Sequence, residues 1–469
     1  MTISSSEIAS TLAERRKNVR EALGADETKS VEQLLAALTL DDDARRRIGL
    51  QASKLVAGMR NRRRRFGGLD DFLAEYSLST EEGVALMCIA EALLRIPDPA
   101  TADRLIGDKM GSVAWKTHLG SSDSVFVNAS TWALMLTGEI VRLDPMGFDR
   151  PASLLEGLVA RLSEPVIRQA MMRAMRVLGR QFVMGRTIAE ALDRARDDPA
   201  YIYSYDMLGE AARTAADAER YFAAYVEAAR AIGGAAQADV PADNPGMSVK
   251  LSALHPRFEY AQSARAVPVV IDRVRELAKL CRDYNIGLTV DAEEAERLDI
   301  SLDVIAAVAA DPALTGWDGF GLAVQAYQTR GMALIDWLGA LAEATHQRLC
   351  VRLVKGAYWD TEIKRAQERG LAGYPVFTRK ASTDLSYLVC AERLLGMQDR
   401  IFSQFATHNA RTAAAVLEMA GNSDAFEFQR LHGMGEPLYD QLVGPDSEIS
   451  CRVYAPVGSH ENLLPYLVR

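Results

Sequence analysis

The chain lacks any apolar run of the roughly 18 residues that a membrane-spanning helix needs. Its first residues, among them Ser4, Ser5, Ser6 and Glu7, do not give the basic segment and apolar core of a secretory leader. Both absences predict a cytoplasmic protein whose membrane contact, if any, is peripheral to an inner membrane. Cysteine is scarce: Cys88, Cys281, Cys350, Cys390 and Cys451 are odd in number and widely separated, mostly among apolar neighbours. That usage predicts buried free thiols in a reducing cytosol. No C-x-x-C and no Cys/His spacing of a metal centre occurs, so no metal is expected. The fingerprint G-x-G-x-x-G is missing, which argues against a doubly wound dinucleotide-binding sheet. An excess of basic charge is missing too. The net charge of -9 and pI near 5.4 would repel nucleic-acid phosphates over much of the surface, so no nucleic-acid partner is expected. The local exception is Arg60 with Arg62, Arg63, Arg64 and Arg65 beside Gly67 and Gly68, which reads as an anion contact or as a solvated helix end with intramolecular acidic partners.

What is present is an ordinary globular composition, 49% hydrophobic and 25% charged. At 469 residues it suggests about two or three domains. Up to residue 181 the pattern is helical, as in Glu82 to Leu94, where apolar residues recur at i, i+3 and i+4. Pro97-Asp98-Pro99 and Asp144-Pro145-Met146-Gly147 end helices, and Ser163-Glu164-Pro165 begins one. Residues 1–50 read as a helical arm and 51–181 as a small helical domain, neither with a chemical motif.

From residue 182 to 469 short β-branched and aromatic runs alternate with amphipathic stretches such as Ile271 to Tyr284 and Ser386 to Leu395. The candidate strands are Tyr201–Tyr205, Met247–Lys250, Gly287–Asp291, Phe320–Val324, Leu349–Val354, Ile401–Ala406, Phe426–Gln429 and Arg452–Tyr454. Eight β-α units in one domain predict an α/β fold, a (β/α)8 TIM-like barrel. The apolar runs end in polar residues: Asp206, Lys250, Asp291, Gln325, Lys355, His408, Gln429 and Tyr454. Strand C-termini of such a barrel share one face, where its chemistry sits. Lys250 on an apolar strand also suits a Schiff-base lysine, because burial lowers a lysine pKa. His408 and His432 read as a general base, a hydrogen-bonding group or satisfied core histidines.

These residues carry a resemblance. Arg352-Leu353-Val354-Lys355-Gly356-Ala357-Tyr358-Trp359-Asp360 runs an apolar strand into a cationic, glycine-containing loop. With Tyr205-Asp206, Lys250, Asp291 to Glu294, Gln325 to Gln328, Ala406 to Asn409 and Arg452 to Pro456 it resembles the flavin-dependent proline dehydrogenase part of the bifunctional bacterial enzymes called proline utilization A. The resemblance covers about residues 55–469 and is strongest from 202 onward.

It implies FAD as cofactor and oxidation of L-proline to 1-pyrroline-5-carboxylate, with hydride passing to flavin N5 and electrons to a quinone at a membrane surface. Arg352 matches an arginine beside the flavin N5 edge; Asp291, Ala292 and Gln325 match residues lining the isoalloxazine. Val354, Lys355, Gly356, Ala357, Tyr358 and Trp359 match the loop around the cofactor. Read from the residues alone, Arg352 and Lys355 also suit a surface network neutralised by Asp360 and Glu362. Thr378, Arg379, Lys380 and Thr383 match a segment near the phosphates and adenosine. Ala406, Thr407, His408, Asn409, Gln429, Leu431 and Tyr454 match further flavin contacts. The substrate residues implied are Lys250, Asp291, Tyr358, Leu431, Tyr454 and Arg469, with Asp206 holding Lys250 by charge, and the ring of Tyr454 suited to closing over a five-membered substrate. The family pattern at Ser459 to Arg469 continues into a second arginine and a glutamate, so the last helix reads as truncated and the chain is expected to continue beyond Arg469. A following aldehyde dehydrogenase half is expected in the full-length protein. Competing readings are a flavin-binding redox sensor or scaffold with a crippled site, and a flavin-free aldolase using Lys250.

Overall fold

The computed structural model describes residues 5–63, 183–444 and 449–458. Of the expected helical domain only residues 51–63 are described, as the end of a helix that runs on from the arm; Cys88, Arg64, Arg65 and the segment Ser459 to Arg469 lie outside the described residues. The chain divides into two compact units, Met1–Gly58 with Val183–Arg469, and Met59–Phe182. The barrel unit contains strands β1 (Ile202–Met207), β2 (Gly246–Val249), β3 (Gly287–Val290), β4 (Phe320–Gln325), β5 (Leu349–Val354), β6 (Ile401–Ala406), β7 (Phe426–Leu431) and β8 (Cys451–Val457). Each pairs in parallel with the next, and β8 pairs with β1, so the sheet closes into the eight-stranded barrel expected from the sequence.

A parallel sheet wrapped by helices is buried on both faces. In β4 all six residues are buried for this reason. The crossover helices carry the matching apolar stripes. Helix α6 (Ser263–Asp283) buries Val270, Val274, Leu277 and Cys281, and α8 (Gly331–Thr345) buries Leu334, Ile335, Leu338 and Leu341. Helix α5 (Ala215–Gly233) opens with a capping box in which Thr214 and Asp217 each accept the other's backbone N–H. Helix α11 (Ala410–Ala420) is capped by the Asn409 side chain. Cys281, Cys350, Cys390 and Cys451 are buried free thiols, as expected. No helix among the described residues is long and apolar enough to cross a membrane.

The arm begins with three helices, α1 (Ser5–Glu21), α2 (Glu27–Ala37) and α3 (Asp42–Arg63). Helix α1 lies against α8, and α2 lies against α10 (Lys380–Leu395). Leu34 packs in a buried cluster with Phe377 and Val389, so the arm touches the segment just before α10. Charge reinforces the seam. Arg16 lies 2.9 Å from both Asp299 and Asp303, on α7 (Leu298–Ala309), and its guanidinium is 5.4 Å from the centre of the Trp337 ring. Arg47 donates to Glu418 at 2.8 Å on α11.

Four strands extend further than the sequence suggests. Strand β1 runs to Met207, β4 to Gln325, β7 to Leu431 and β8 to Val457, so Asp206, Gln429 and Tyr454 lie within strands. The physical reason is a polar lumen. Alternate residues face inward, and a lumen of hydrogen-bonded polar groups interrupts an apolar run without ending the strand.

Candidate active site

Strand alternation sends Ser204 and Asp206 of β1 into the lumen while Tyr203 and Tyr205 face the helices. Lys250 follows β2 directly, and Asp291 follows β3, placing both at the C-terminal rim. Lys250 Nζ donates to Asp206 Oδ1 at 2.8 Å, Asp291 Oδ2 at 3.0 Å and Tyr454 OH at 3.2 Å. An ammonium has three donors, and here each has an acceptor. Tyr454 OH in turn donates to Asp291 Oδ2 at 2.6 Å.

Arg352 enters from β5 beneath this group. Its Nη1 donates to Asp291 Oδ1 at 2.7 Å, Nε to Gln429 Oε1 at 2.6 Å, and Nη2 to Ser248 Oγ at 3.0 Å and Ser204 Oγ at 3.3 Å. Its guanidinium lies 5.0 Å from the centre of the Tyr454 ring. Six of the residues expected from the sequence, Asp206, Lys250, Asp291, Arg352, Gln429 and Tyr454, thus form one hydrogen-bonded network across the barrel.

Burial opposes charge on Lys250, but Asp206, Tyr454 and Asp291 outweigh it and raise the lysine pKa well above its ordinary value. A Schiff-base lysine needs the opposite shift, so that alternative is corrected: Lys250 is a fixed cation with all its protons engaged. Burial also raises the carboxyl of Asp291, yet Lys250 and Arg352 prevail and hold its pKa below the usual carboxylate range. Asp206 is fully buried, and desolvation lifts its pKa despite Lys250. Its Oδ2 has no hydrogen-bond partner among the described residues. Burial, Asp206 and Asp291 push the Tyr454 phenol well up, so it stays protonated.

The rim has a second, cationic sector. Gln325 ends β4; its Nε2 donates to Glu293 O at 2.9 Å and its Oε1 accepts Ala357 N–H at 3.2 Å, tying the loops after β3 and β5 together. Gly356 takes φ +141°, and a Cβ there would lie 2.4 Å from the Tyr327 ring, so only glycine lets the loop pass. Lys355 Nζ lies 2.5 Å and Lys380 Nζ 2.6 Å from opposite oxygens of Asp384, gathering two ammonium groups at the N-terminus of α10. Asp384, not Asp360 or Glu362, is thus the neutraliser of Lys355, and Asp291 that of Arg352. Glu362 instead accepts Ala295 N–H at 2.7 Å. Trp359 is 42% exposed and donates its indole N–H to Phe377 O at 2.9 Å. Thr378 donates both its N–H and its hydroxyl to Glu27 of the arm, at 2.9 and 2.7 Å.

His408 Nε2 accepts the Leu431 N–H at 3.0 Å. Burial, aided by Arg430, lowers its pKa to about 4, so the ring is neutral at physiological pH and its proton sits on Nδ1. With its acceptor nitrogen occupied, His408 is a hydrogen-bond donor and not a general base. Gly435 packs against this ring; a Cβ there would come within 2.7 Å of it.

Arg469 lies outside the described residues. Ala292, Val354, Tyr358, Arg379, Ala406, Thr407, Asn409 and Leu431 stand on the loops and strand ends around the rim, Thr383 lies in the first turn of α10, and Asn409 Oδ1 is engaged as the α11 cap at 3.0 Å from Thr412 N. Sequence reasoning passed over Ser204, Ser248, Gln404, Glu427 and Arg452, which are buried polar lumen residues. The signal was present as alternation, most plainly in Phe426-Glu427-Phe428-Gln429.

The family model described as proline dehydrogenase matches residues 189–469. A second, described as the DNA-binding domain of proline dehydrogenase, matches residues 68–182. The expectation that excludes nucleic acid is therefore not carried further. The bifunctional protein PutA of Klebsiella aerogenes is 49% identical over 97% of this chain and 35% of that protein. The Deinococcus radiodurans proline dehydrogenase is 25% identical, covering 63% of this chain and 86% of that protein. Among solved structures, a Bradyrhizobium japonicum proline utilization A variant gives a TM-score of 0.71 at 52% identity, over 95% of this chain and 44% of that one. The chain spans about a third of the length of the PutA relatives, 35% for the Klebsiella protein.

Proposed function

Because the chain belongs to the proline dehydrogenase family, we propose that its barrel mouth holds FAD and oxidises L-proline to 1-pyrroline-5-carboxylate, the electrons then passing to a membrane quinone. The observation that carries this reading is the Lys250–Asp291–Arg352 array at the C-terminal rim. The residues present fit the cofactor. Arg352 is a buried guanidinium directly below the rim, suited to the negative charge of a reduced flavin. Lys355 and Lys380 converge at a helix N-terminus, a combination that favours a diphosphate. Gly356 lets the loop carrying Ala357 and Tyr358 lie close over Tyr327. Asp206 Oδ2 adds an unpartnered buried acceptor beside the array.

FAD in this mouth would supply the acceptor for a hydride from the ring carbon next to nitrogen, and the protein supplies position and charge. Lys250 keeps its proton and holds the carboxylates of Asp206 and Asp291 in place. Tyr454 turns its hydroxyl to Asp291 and its ring to Arg352, so it forms an aromatic wall that excludes water from the reacting ring. His408 offers a neutral N–H at the rim, suited to a flavin carbonyl. Arg469 would meet the substrate carboxylate.

Steady-state assay with L-proline and a quinone analogue tests the reading. Turnover that requires both FAD and Arg352 supports it. FAD-loaded protein without proline turnover would favour the sensor reading.

A further inference from the structure

Glu427 lies on the lumen face of β7, is 1% exposed, and reaches Arg352 through one intermediary. Its Oε1 accepts three hydrogen bonds: from Gln404 Nε2 at 2.7 Å, from Gln429 Nε2 at 2.7 Å and from Arg452 Nε at 2.8 Å. Arg452 is anchored in turn by Nη1 on Asn244 O at 2.9 Å and by Nη2 on Ala242 O. The carboxylate therefore sits on a cation that the barrel wall fixes.

The intermediary is Gln429. A carboxylate only accepts and an arginine Nε–H only donates, so the amide between them has a single satisfied orientation. Its NH2 must face Glu427, and its oxygen must face Arg352, where it accepts the Nε–H at 2.6 Å. Without the acceptor at 427 the amide orientation rests on Arg352 alone and the Gln429 NH2 loses its partner, while a flipped amide would meet Arg352 with a donor. Glu427 also stands between two buried guanidinium groups, bonded directly to Arg452 and through Gln429 to Arg352.

We propose that Glu427 is a positioning residue for Arg352, acting through the polarity it imposes on the Gln429 amide. The effect on the cofactor rests on the flavin reading above; the geometry of Arg352 does not. A buried carboxylate at the bottom of the barrel thereby sets the angle at which the guanidinium meets the mouth.

The test compares wild type with Glu427→Gln, which keeps an acceptor for Gln429, and with the double variant Glu427→Met, Arg452→Met. The double variant removes both charges together, a change that buried ion pairs often tolerate. Gln429→Met removes the acceptor of the Arg352 Nε–H outright and gives the exchange rate of the unheld group, and Glu427→Met alone serves as a second route should the double variant fail to fold. Hydrogen exchange of the Arg352 Nε–H is measured by NMR in cofactor-free protein, the signal being assigned by its loss in Arg352→Lys. FAD affinity is measured by fluorescence titration.

The double variant and Gln429→Met are expected to exchange the Arg352 Nε–H at least about tenfold faster and to bind FAD about tenfold more weakly, while Glu427→Gln retains the protection. Protection unchanged in the double variant, or in Glu427→Met should the double variant not fold, would overturn the proposal. Failure of the wild type to bind FAD would remove the flavin reading, and the exchange measurement alone would still decide the role of Glu427.

Discussion

Arg352 Nη1 stands 2.7 Å from Asp291 Oδ1, and the other oxygen of the same carboxylate takes hydrogen bonds from Lys250 at 3.0 Å and Tyr454 at 2.6 Å. Asp291 is thus the junction at which β2, β3, β5 and β8 meet. One carboxylate holds two cations in a site that water reaches poorly, and its removal leaves both without their shared counter-charge.

Asp291→Ala is expected to destabilise the protein by about 3 to 5 kcal/mol, the usual cost of stranding a buried partner. Urea unfolding of the cofactor-free protein measures it. A loss below about 1 kcal/mol would mean that the network relaxes around the gap.

Lys250→Met is expected to lower kcat/KM for L-proline about a hundredfold or more, since it removes the cation that fixes both acids while leaving Arg352 in place. Borohydride with a keto-acid substrate should leave Lys250 of the wild type unmodified. Reductive trapping at Lys250 would revive the Schiff-base chemistry that its raised pKa argues against.

His408 gives a pH dependence of definite sign. Its folded pKa is about 4, below the unfolded value of 6.5. Between these values the unfolded chain binds the additional proton, so stability is complete above about pH 6.5 and falls as pH drops toward about 4. The fall attributable to His408 should be on the order of 1 to 3 kcal/mol, and His408→Asn should flatten it. Equal pH slopes in wild type and variant would show that the ring protonates freely in the fold.

The arm has its own test. Leu34→Ala should cost about 2 to 4 kcal/mol by opening the cluster with Phe377 and Val389. It should also speed amide exchange across 377–383, the segment on which Glu27 closes. Faster exchange confined to the arm would show that the two regions are uncoupled.

The barrel was legible because its strands are short apolar runs at crossover spacing, and because Asp206, Lys250 and Asp291 fall where those runs stop. The interior of the site was less so. Gln429 and Tyr454 read as strand ends because a polar lumen residue and a strand terminus look alike in one dimension. Glu427 was given no role and Arg452 only a place at the start of a strand, because their pairing joins neighbouring strands, β7 and β8, over a sequence gap that hides it. The arm carried no chemical motif, and its docking depends on scattered ion pairs such as Arg16 with Asp299 that only the folded chain brings together.

The central claim, that this mouth holds a flavin which L-proline reduces, is tested most directly by an anaerobic visible spectrum of FAD-loaded protein before and after L-proline is added. Flavin bands should fade with proline, and should fade more slowly by about a hundredfold or more in Lys250→Met. Flavin bands that persist in the wild type at saturating proline would contradict it.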